Sequence, residues 1–441
     1  VLLGIMFAIF AGIASTAKPK VNIPATSVLN LKLNYPLTDK VQDEGPFAAL
    51  AALDPNAQLP VGLNDILQML EEAKTDDNIK GIVMDLTGVQ SGYAKLTEVR
   101  NKISDFKESG KFVYAYADYY YYQTYYLASV ADSVFINPEG QMSFTGMVAE
   151  VAFFSNTLKK AGIEMQVVRA GKFKGAVEPF TRESFSPENK EQIEVYINSV
   201  FDQTLQSISD SRGIAVETLK KDADELKIRS VQQFIDNKYL DGSAYRDEFY
   251  NTMKERMGVD LEDKVALVSE LKYSKKLGMQ GSGKDRIAVV YASGEIVGGK
   301  GDGTQIAAED VAKTLRTVRE KESVKAVVFR VDSRGGSSLA SDIIWREAKL
   351  LAKEKPLIIS MGDVAASGGY YISTPAQTIV AEPTTITGSI GVFGLIPNAK
   401  ELLNDKLGLN FEYVGTGEHS DFGRIDRDLT ANEREYIEEI I

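Results

Sequence analysis

The chain has 441 residues, more than one ordinary core accommodates, so two or three domains are expected. Its 44% hydrophobic and 25% charged composition is that of a folded protein, and the net charge of −12 argues against nucleic acid as the main partner. The absence of cysteine excludes disulfides, thiolate metal sites and a cysteine nucleophile, and suits an oxidising compartment. With one histidine, His419, multi-histidine metal sites are excluded and any Ser-His pair has a single candidate.

Val1 to Ala17 carries no charge and is followed by Lys18 and Lys20. Its length sits at the lower limit of a membrane span, and the expectation is an N-terminal transmembrane anchor over residues 1–20, with a cleaved signal peptide or a buried helix as alternatives. Lys18 and Lys20 do not by themselves favour an outward-facing body. Next, Ser27 to Leu33 alternates like a strand, and Pro36 to Pro60 reads as an irregular excursion. Leu63 to Ala73 has helical spacing, Gly81 to Leu86 reads as a strand, Leu96 to Ser109 as a polar helix and Phe112 to Tyr116 as a strand. Alternating strands and helices predict an α/β sheet domain.

The second half repeats the first at a constant offset. Asp310-Val311 answers Asp65-Ile66, Val324 to Val328 answers Ile79 to Val83, and Asp363 answers Asp118 at a spacing of 245 (363 − 118). Pro383 and Gly391 answer Pro138 and Gly146 in the same way. A fixed offset held over so long a stretch predicts a tandem duplication. The expected layout is a first α/β repeat over 21–214, a helical linker and connector over 215–285, and a second α/β repeat over 286–441. Gly278 to Lys284 has Walker A spacing, but Asp285 replaces the required Ser/Thr and a strand follows rather than precedes the loop, so it reads as a connector. Leu429 to Glu433 resembles Ser186 to Asn189, which opens a helix in the first half, and implies a helix starting there that the natural protein continues.

Three Ser/Gly features mark the second half: Asp332-Ser333-Arg334-Gly335-Gly336-Ser337, Ala365-Ala366-Ser367-Gly368-Gly369 and Thr387-Gly388-Ser389-Ile390-Gly391. Small neighbours let the backbone turn sharply beside Ser367, and a strand-to-helix turn sets the next N–H groups toward a developing oxyanion. The paired glycines 335 and 336 expose further N–H groups, in a loop that serves equally as a tight turn. Tyr122 stands where the repeat would require a second Ser367, so the first half lacks the nucleophile. Two bases are open, His419 and Lys174, which sits in the small and apolar setting Phe173-Lys174-Gly175-Ala176-Val177. A lysine must fall from about 10.4 to about 7 to act near neutrality, roughly 4 kcal/mol, which desolvation supplies.

Phe173 to Phe180, Ala365 to Tyr370 and Thr387 to Gly391, in this order on a duplicated chain, resemble the signal peptide peptidase A (protease IV) family of membrane-anchored serine proteases. The resemblance implies tandem duplicated Clp/crotonase-like α/β domains, Ser367 as nucleophile, Lys174 as general base and Ser389 as the serine bonded to that lysine. It implies Gly336 and Gly368, with Gly335 beside them, as oxyanion donors, with Arg334 standing where the family pattern usually has Pro. No cofactor or metal is implied. Remnant signal peptides are the implied substrates, a homotetramer the implied assembly, and the periplasmic side of the bacterial inner membrane the implied location. On the 245 spacing Lys174 falls on His419, so a site shared between repeats sets His419 toward Tyr122 rather than Ser367. The rival readings are a crotonase-like thioester enzyme, a non-catalytic membrane scaffold and a Ser-His protease using His419.

Overall fold

The structure, a computed structural model, describes residues 21–41, 60–277 and 283–441. The expected anchor and most of the Walker-like loop lie outside these residues. Among the described residues no helix is long and apolar enough to cross a membrane.

The chain divides into two compact units, one of residues 1–145 and 207–282, the other of residues 146–206 and 283–441. The first unit is built on a six-stranded parallel sheet in the order Gly242–Ser243, Ser133–Met142, Phe112–Tyr120, Ile79–Asp85, Ser27–Leu31, Ala266–Ser269. Parallel pairing demands crossovers, and the helices Leu63–Thr75 and Tyr93–Lys107 supply two of them. Leu63–Thr75 buries Leu63, Ile66, Met69, Leu70 and Ala73, the stripe a 3.6-residue period sets on one face. The stretch 215–285 contributes more than linking helices, because Gly242–Ser243 and Ala266–Ser269 form the two edges of this sheet.

The second unit carries a parallel sheet in the order Thr378–Val380, Leu357–Ala366, Val324–Ser333, Arg286–Ser293, and Ile386–Gly388 also pairs with Leu357–Ala366. Its core gathers Val327, Phe329, Leu351, Leu357, Ile359 and Ile372. The strands are near-continuous apolar runs, yet only one set of alternating residues is covered, since Ile287, Val289, Ile358 and Val380 are exposed. A separate antiparallel ribbon joins Glu164–Ala170 to Val392–Asn398. Residues 146–206 thus pack with the second half of the chain, and alternation alone did not single out Glu164–Ala170 as a strand.

Elements recur at the sequence offset. Helices Leu63–Thr75 and Ala308–Glu320 begin and end 245 residues apart (308 − 63, 320 − 75), as do the starts of strands Ile79–Asp85 and Val324–Ser333. Strands Ser27–Leu31 and Arg286–Ser293 break the offset, starting 259 apart (286 − 27), yet Ser27 pairs with Ile79 and Arg286 with Val324 in the same register. The difference of 14 residues is taken up in the connection that includes the excursion after Pro36.

Candidate active site

Ser367 ends the strand Leu357–Ala366 and precedes the helix Gly368–Ser373. Its φ of 53° and ψ of −117° are a conformation that L-residues seldom adopt, costing on the order of 1–3 kcal/mol and held only because the surroundings over-determine it. The Ser367 N–H donates to Gly388 O at 2.8 Å, and the Ser367 carbonyl accepts from Tyr371 N at 2.9 Å, so the backbone on both sides of the hydroxyl is tied down.

Lys174 reaches this hydroxyl from the turn that precedes Gly175–Val177. Its Nζ lies 3.1 Å from Ser367 Oγ, 2.7 Å from Ser389 O and 3.1 Å from Ser389 Oγ. All three residues belong to the second unit. The lysine is 5% exposed and, among the described residues, has no carboxylate partner within ion-pair distance. Burial pushes its pKa below the ordinary lysine value, since the charged form is the one that loses hydration. A neutral amine there has two N–H groups for Ser389 O and Ser389 Oγ, leaving its lone pair for the Ser367 proton. Ser389, like Ser367, has a positive φ, 48°.

The glycine loop packs directly on the serine turn. A Cβ on Gly335 would sit 2.6 Å from Gly368 N and 3.0 Å from Ser367 Cβ, and one on Gly336 would sit 2.1 Å from Ile296 O. Gly335 N–H donates to Ser333 Oγ at 3.1 Å, and that hydroxyl in turn donates to Gly294 O at 2.6 Å. Of the three glycines expected to line an oxyanion site, Gly335 therefore spends its N–H on shaping the loop. Gly336 N–H takes no part in the Ile296 bridge, which uses Gly335 O and Ser337 N. Gly368 is the first residue of its helix, where an N–H has no intrahelical acceptor. The part played by Ser333 is one that the motif does not announce; its sequence signal is a serine two residues before the first glycine, able to fold back in an ST-type turn.

His419 is exposed, in the loop that includes Gly415–Gly417, and its carbonyl accepts from Phe422 N at 3.2 Å. No hydrogen bond joins it to Ser367 among the described residues. Nor is any group of three or more His, Asp or Glu side chains there arranged to hold a metal ion.

A sequence profile described as Peptidase family S49 matches residues 105–260 and 349–441, more than half of the chain. The chain belongs to peptidase family S49. Among similar family members, "Serine protease SPPA, chloroplastic" from Arabidopsis thaliana is 36% identical over 86% of this chain and 57% of its own length. "Protease 4" from Salmonella typhi is 34% identical over 81% of this chain and 59% of its own. The S49 chain thus spans less than two thirds of the length of these relatives. Among solved structures, a ClpP1 mutant from Listeria monocytogenes is 25% identical over 20% of this chain and 46% of its own, with a TM-score of 0.17.

Proposed function

We propose that this S49 chain is a serine endopeptidase in which Ser367 is the nucleophile and Lys174 the general base. The observation that carries the reading is the 3.1 Å approach of a buried, carboxylate-free Lys174 Nζ to Ser367 Oγ. A merely structural lysine gains nothing from burial beside a strained serine, whereas a base needs its amine neutral near the working pH.

Neutral Lys174 takes the Ser367 proton as Oγ attacks the substrate carbonyl. The tetrahedral oxyanion faces the N–H groups of Gly336 and Gly368, each worth about 3–4 kcal/mol of transition-state stabilisation if aligned. The lysine ammonium passes its proton to the leaving amine, and the acyl-enzyme remains. Lys174 then deprotonates an incoming water, whose oxygen attacks the ester carbon, and returns the proton to Ser367 as the bond to Oγ breaks. Ser389 holds the amine through both of its oxygens. A thioester enolate chemistry would use the glycine donors without needing Lys174 at the serine.

Peptides are the substrates in this reading, signal peptide remnants in particular. The wider proposal includes tandem Clp/crotonase-like repeats, a homotetramer and anchoring through Val1 to Ala17 in a bacterial inner membrane with the body on the periplasmic side.

The test is peptide hydrolysis with active-site labelling by a fluorophosphonate. Ser367→Ala and Lys174→Ala are each expected to lower turnover on the order of 10⁴-fold or more, while His419→Ala stays within twofold of the parent. Wild-type turnover by Lys174→Ala, or probe attached to a serine other than Ser367, overturns the dyad.

A further inference from the structure

Lys174 stands on a three-residue turn, and what fixes that turn is a buried carboxylate four residues on. Glu178 is 1% exposed, and its Oε2 accepts from Ser186 N at 3.0 Å and from Asn189 Nδ2 at 2.9 Å. Ser186 Oγ accepts from Asn189 N at 3.1 Å, capping the long helix Pro187–Arg212. Asn189 Oδ1 accepts from Gln192 Nε2 at 2.7 Å, and the same nitrogen lies 3.2 Å from Phe173 O, the carbonyl just before Lys174. On the other side of Lys174, Gly175 is pressed on the Asn189 amide so closely that a Cβ would lie 2.5 Å from Asn189 Cγ. The backbone flanking the lysine is therefore clasped from both sides by Asn189 and Gln192, and Glu178 fixes the orientation of Asn189.

An anionic carboxylate suits this place, because every hydrogen bond drawn to it comes from a donor. Burial works against the charge, but the bonds from Ser186 and Asn189 outweigh it and hold Glu178 below the ordinary glutamate value. The charged groups facing it are Arg169, 4.0 Å from Oε1 on the strand Glu164–Ala170, Arg182 just beyond the helix Glu178–Thr181, and Glu188 in the first turn of the helix Pro187–Arg212, itself paired with Lys172 at 3.5 Å. Glu178 is not hydrogen-bonded to Lys174 and does not touch Ser367 or Ser389.

We propose that Glu178 is a positioning residue for the base: through Ser186, Asn189 and Gly175 it sets the Lys174 turn so that Nζ stays in its dry slot against Ser367 Oγ. This rests on Lys174 acting as the base. A displacement of about 1 Å at a reacting group costs on the order of 10²-fold in rate, so a small loosening of the turn is read directly in turnover.

Glu178→Gln is the test, with Lys174→Ala beside it. Gln keeps the shape but turns one acceptor oxygen into a donor facing donors. Turnover is to be normalised to fluorophosphonate-titrated sites, with thermal melting in parallel, and Glu178→Asp serves as a second, milder variant. The expected result is a roughly 10- to 100-fold fall in kcat per titrated site, KM within about twofold, partial recovery in Glu178→Asp, and an acid limb of kcat/KM moved to higher pH. The direction is diagnostic. A lysine released toward water regains its ordinary basicity, whereas mere loss of a neighbouring negative charge lowers a lysine pKa and moves the limb the other way. An unmoved or lowered limb, or an unchanged kcat per titrated site despite a lower melting temperature, overturns the positioning role. If Lys174→Ala is itself active, the dyad falls and this inference with it; if Lys174→Ala is inactive and Glu178→Gln is normal, only the inference falls.

Discussion

The strand-turn-helix around Tyr122 and its counterpart around Ser367 show how one local frame is kept while a serine stands in one copy and a tyrosine in the other. In the first unit Leu37 N donates to Gln90 O at 3.0 Å, and in the second Ile296 N donates to Gly335 O at 3.0 Å, at positions 245 apart (335 − 90). The frame is the same; the side chains are not. Gln90 and Ser91 stand where Gly335 and Gly336 do, and Thr124, whose hydroxyl accepts from Tyr121 N at 2.8 Å, stands where Gly369 does. Tyr122, half-buried, packs on the buried Phe144, ring centroids 5.8 Å apart. Glycines at 335 and 336 are thus what lets a loop lie against the serine turn, with φ values of 96° and 157° that side chains resist, and of the two Gly335 has its N–H taken by Ser333 Oγ.

Exchanging these residues breaks the comparison most sharply. Gly335→Gln with Gly336→Ser, the pair found in the first unit, is expected to cost at least 10²–10³ in kcat, since the new side chains meet Ser367 and the Ile296 backbone. The reverse exchange, Tyr122→Ser with Gln90→Gly and Ser91→Gly in a Ser367→Ala background, is expected to take up no fluorophosphonate, because the exchange supplies no lysine to act as base. Labelling at position 122 would show that the glycine frame alone suffices.

A smaller effect is expected from Ser389→Ala. It removes one of two oxygens held by Lys174 Nζ and leaves the Ser389 carbonyl at 2.7 Å, so kcat is expected to fall about tenfold with little change in KM. In the parent, kcat/KM is expected to rise with pH as Lys174 loses its proton, with the midpoint below the ordinary lysine value because burial lowers it. A midpoint at or above that value in steady-state kinetics would contradict the dry slot.

The smallest effect concerns how the Lys174 and His419 turns are held. Where a buried Glu178 accepts from neutral donors, the loop after His419 is held by an ion pair: Arg427 bonds both Asp421 and the buried Glu433, bringing each carboxyl down to about 2. Since both folded values are depressed below the unfolded ones, about 4, the support is complete above pH 4 and lost as pH falls toward 2. Amide protection factors over 421–433 are expected to drop between pH 4 and 2 and to stay level between pH 7 and 5; a drop in the upper window would point to a different support.

Much of this site was legible in the sequence because its signals are local. Ser367 stands among alanines and glycines, and Lys174 among small and apolar neighbours. The repeat was legible because the helices and strands kept their spacing, even where 14 residues in one connection break it. What escaped was non-local. The ribbon of Glu164–Ala170 with Val392–Asn398 joins segments more than two hundred residues apart, and no periodicity announces such a pairing. The engagement of the Gly335 N–H by Ser333 is a matter of which way an amide points, which composition does not encode.

One short stretch, Gly388-Ser389, grips both members of the proposed pair: Gly388 O holds the amide of Ser367, and Ser389 holds the amine of Lys174. Thermal jitter of that stretch moves both together, so the gap between them is shielded from it, much as two instruments bolted to one bench keep their alignment when the bench shakes. The same common mount removes redundancy, and a distortion there throws both out of register at once.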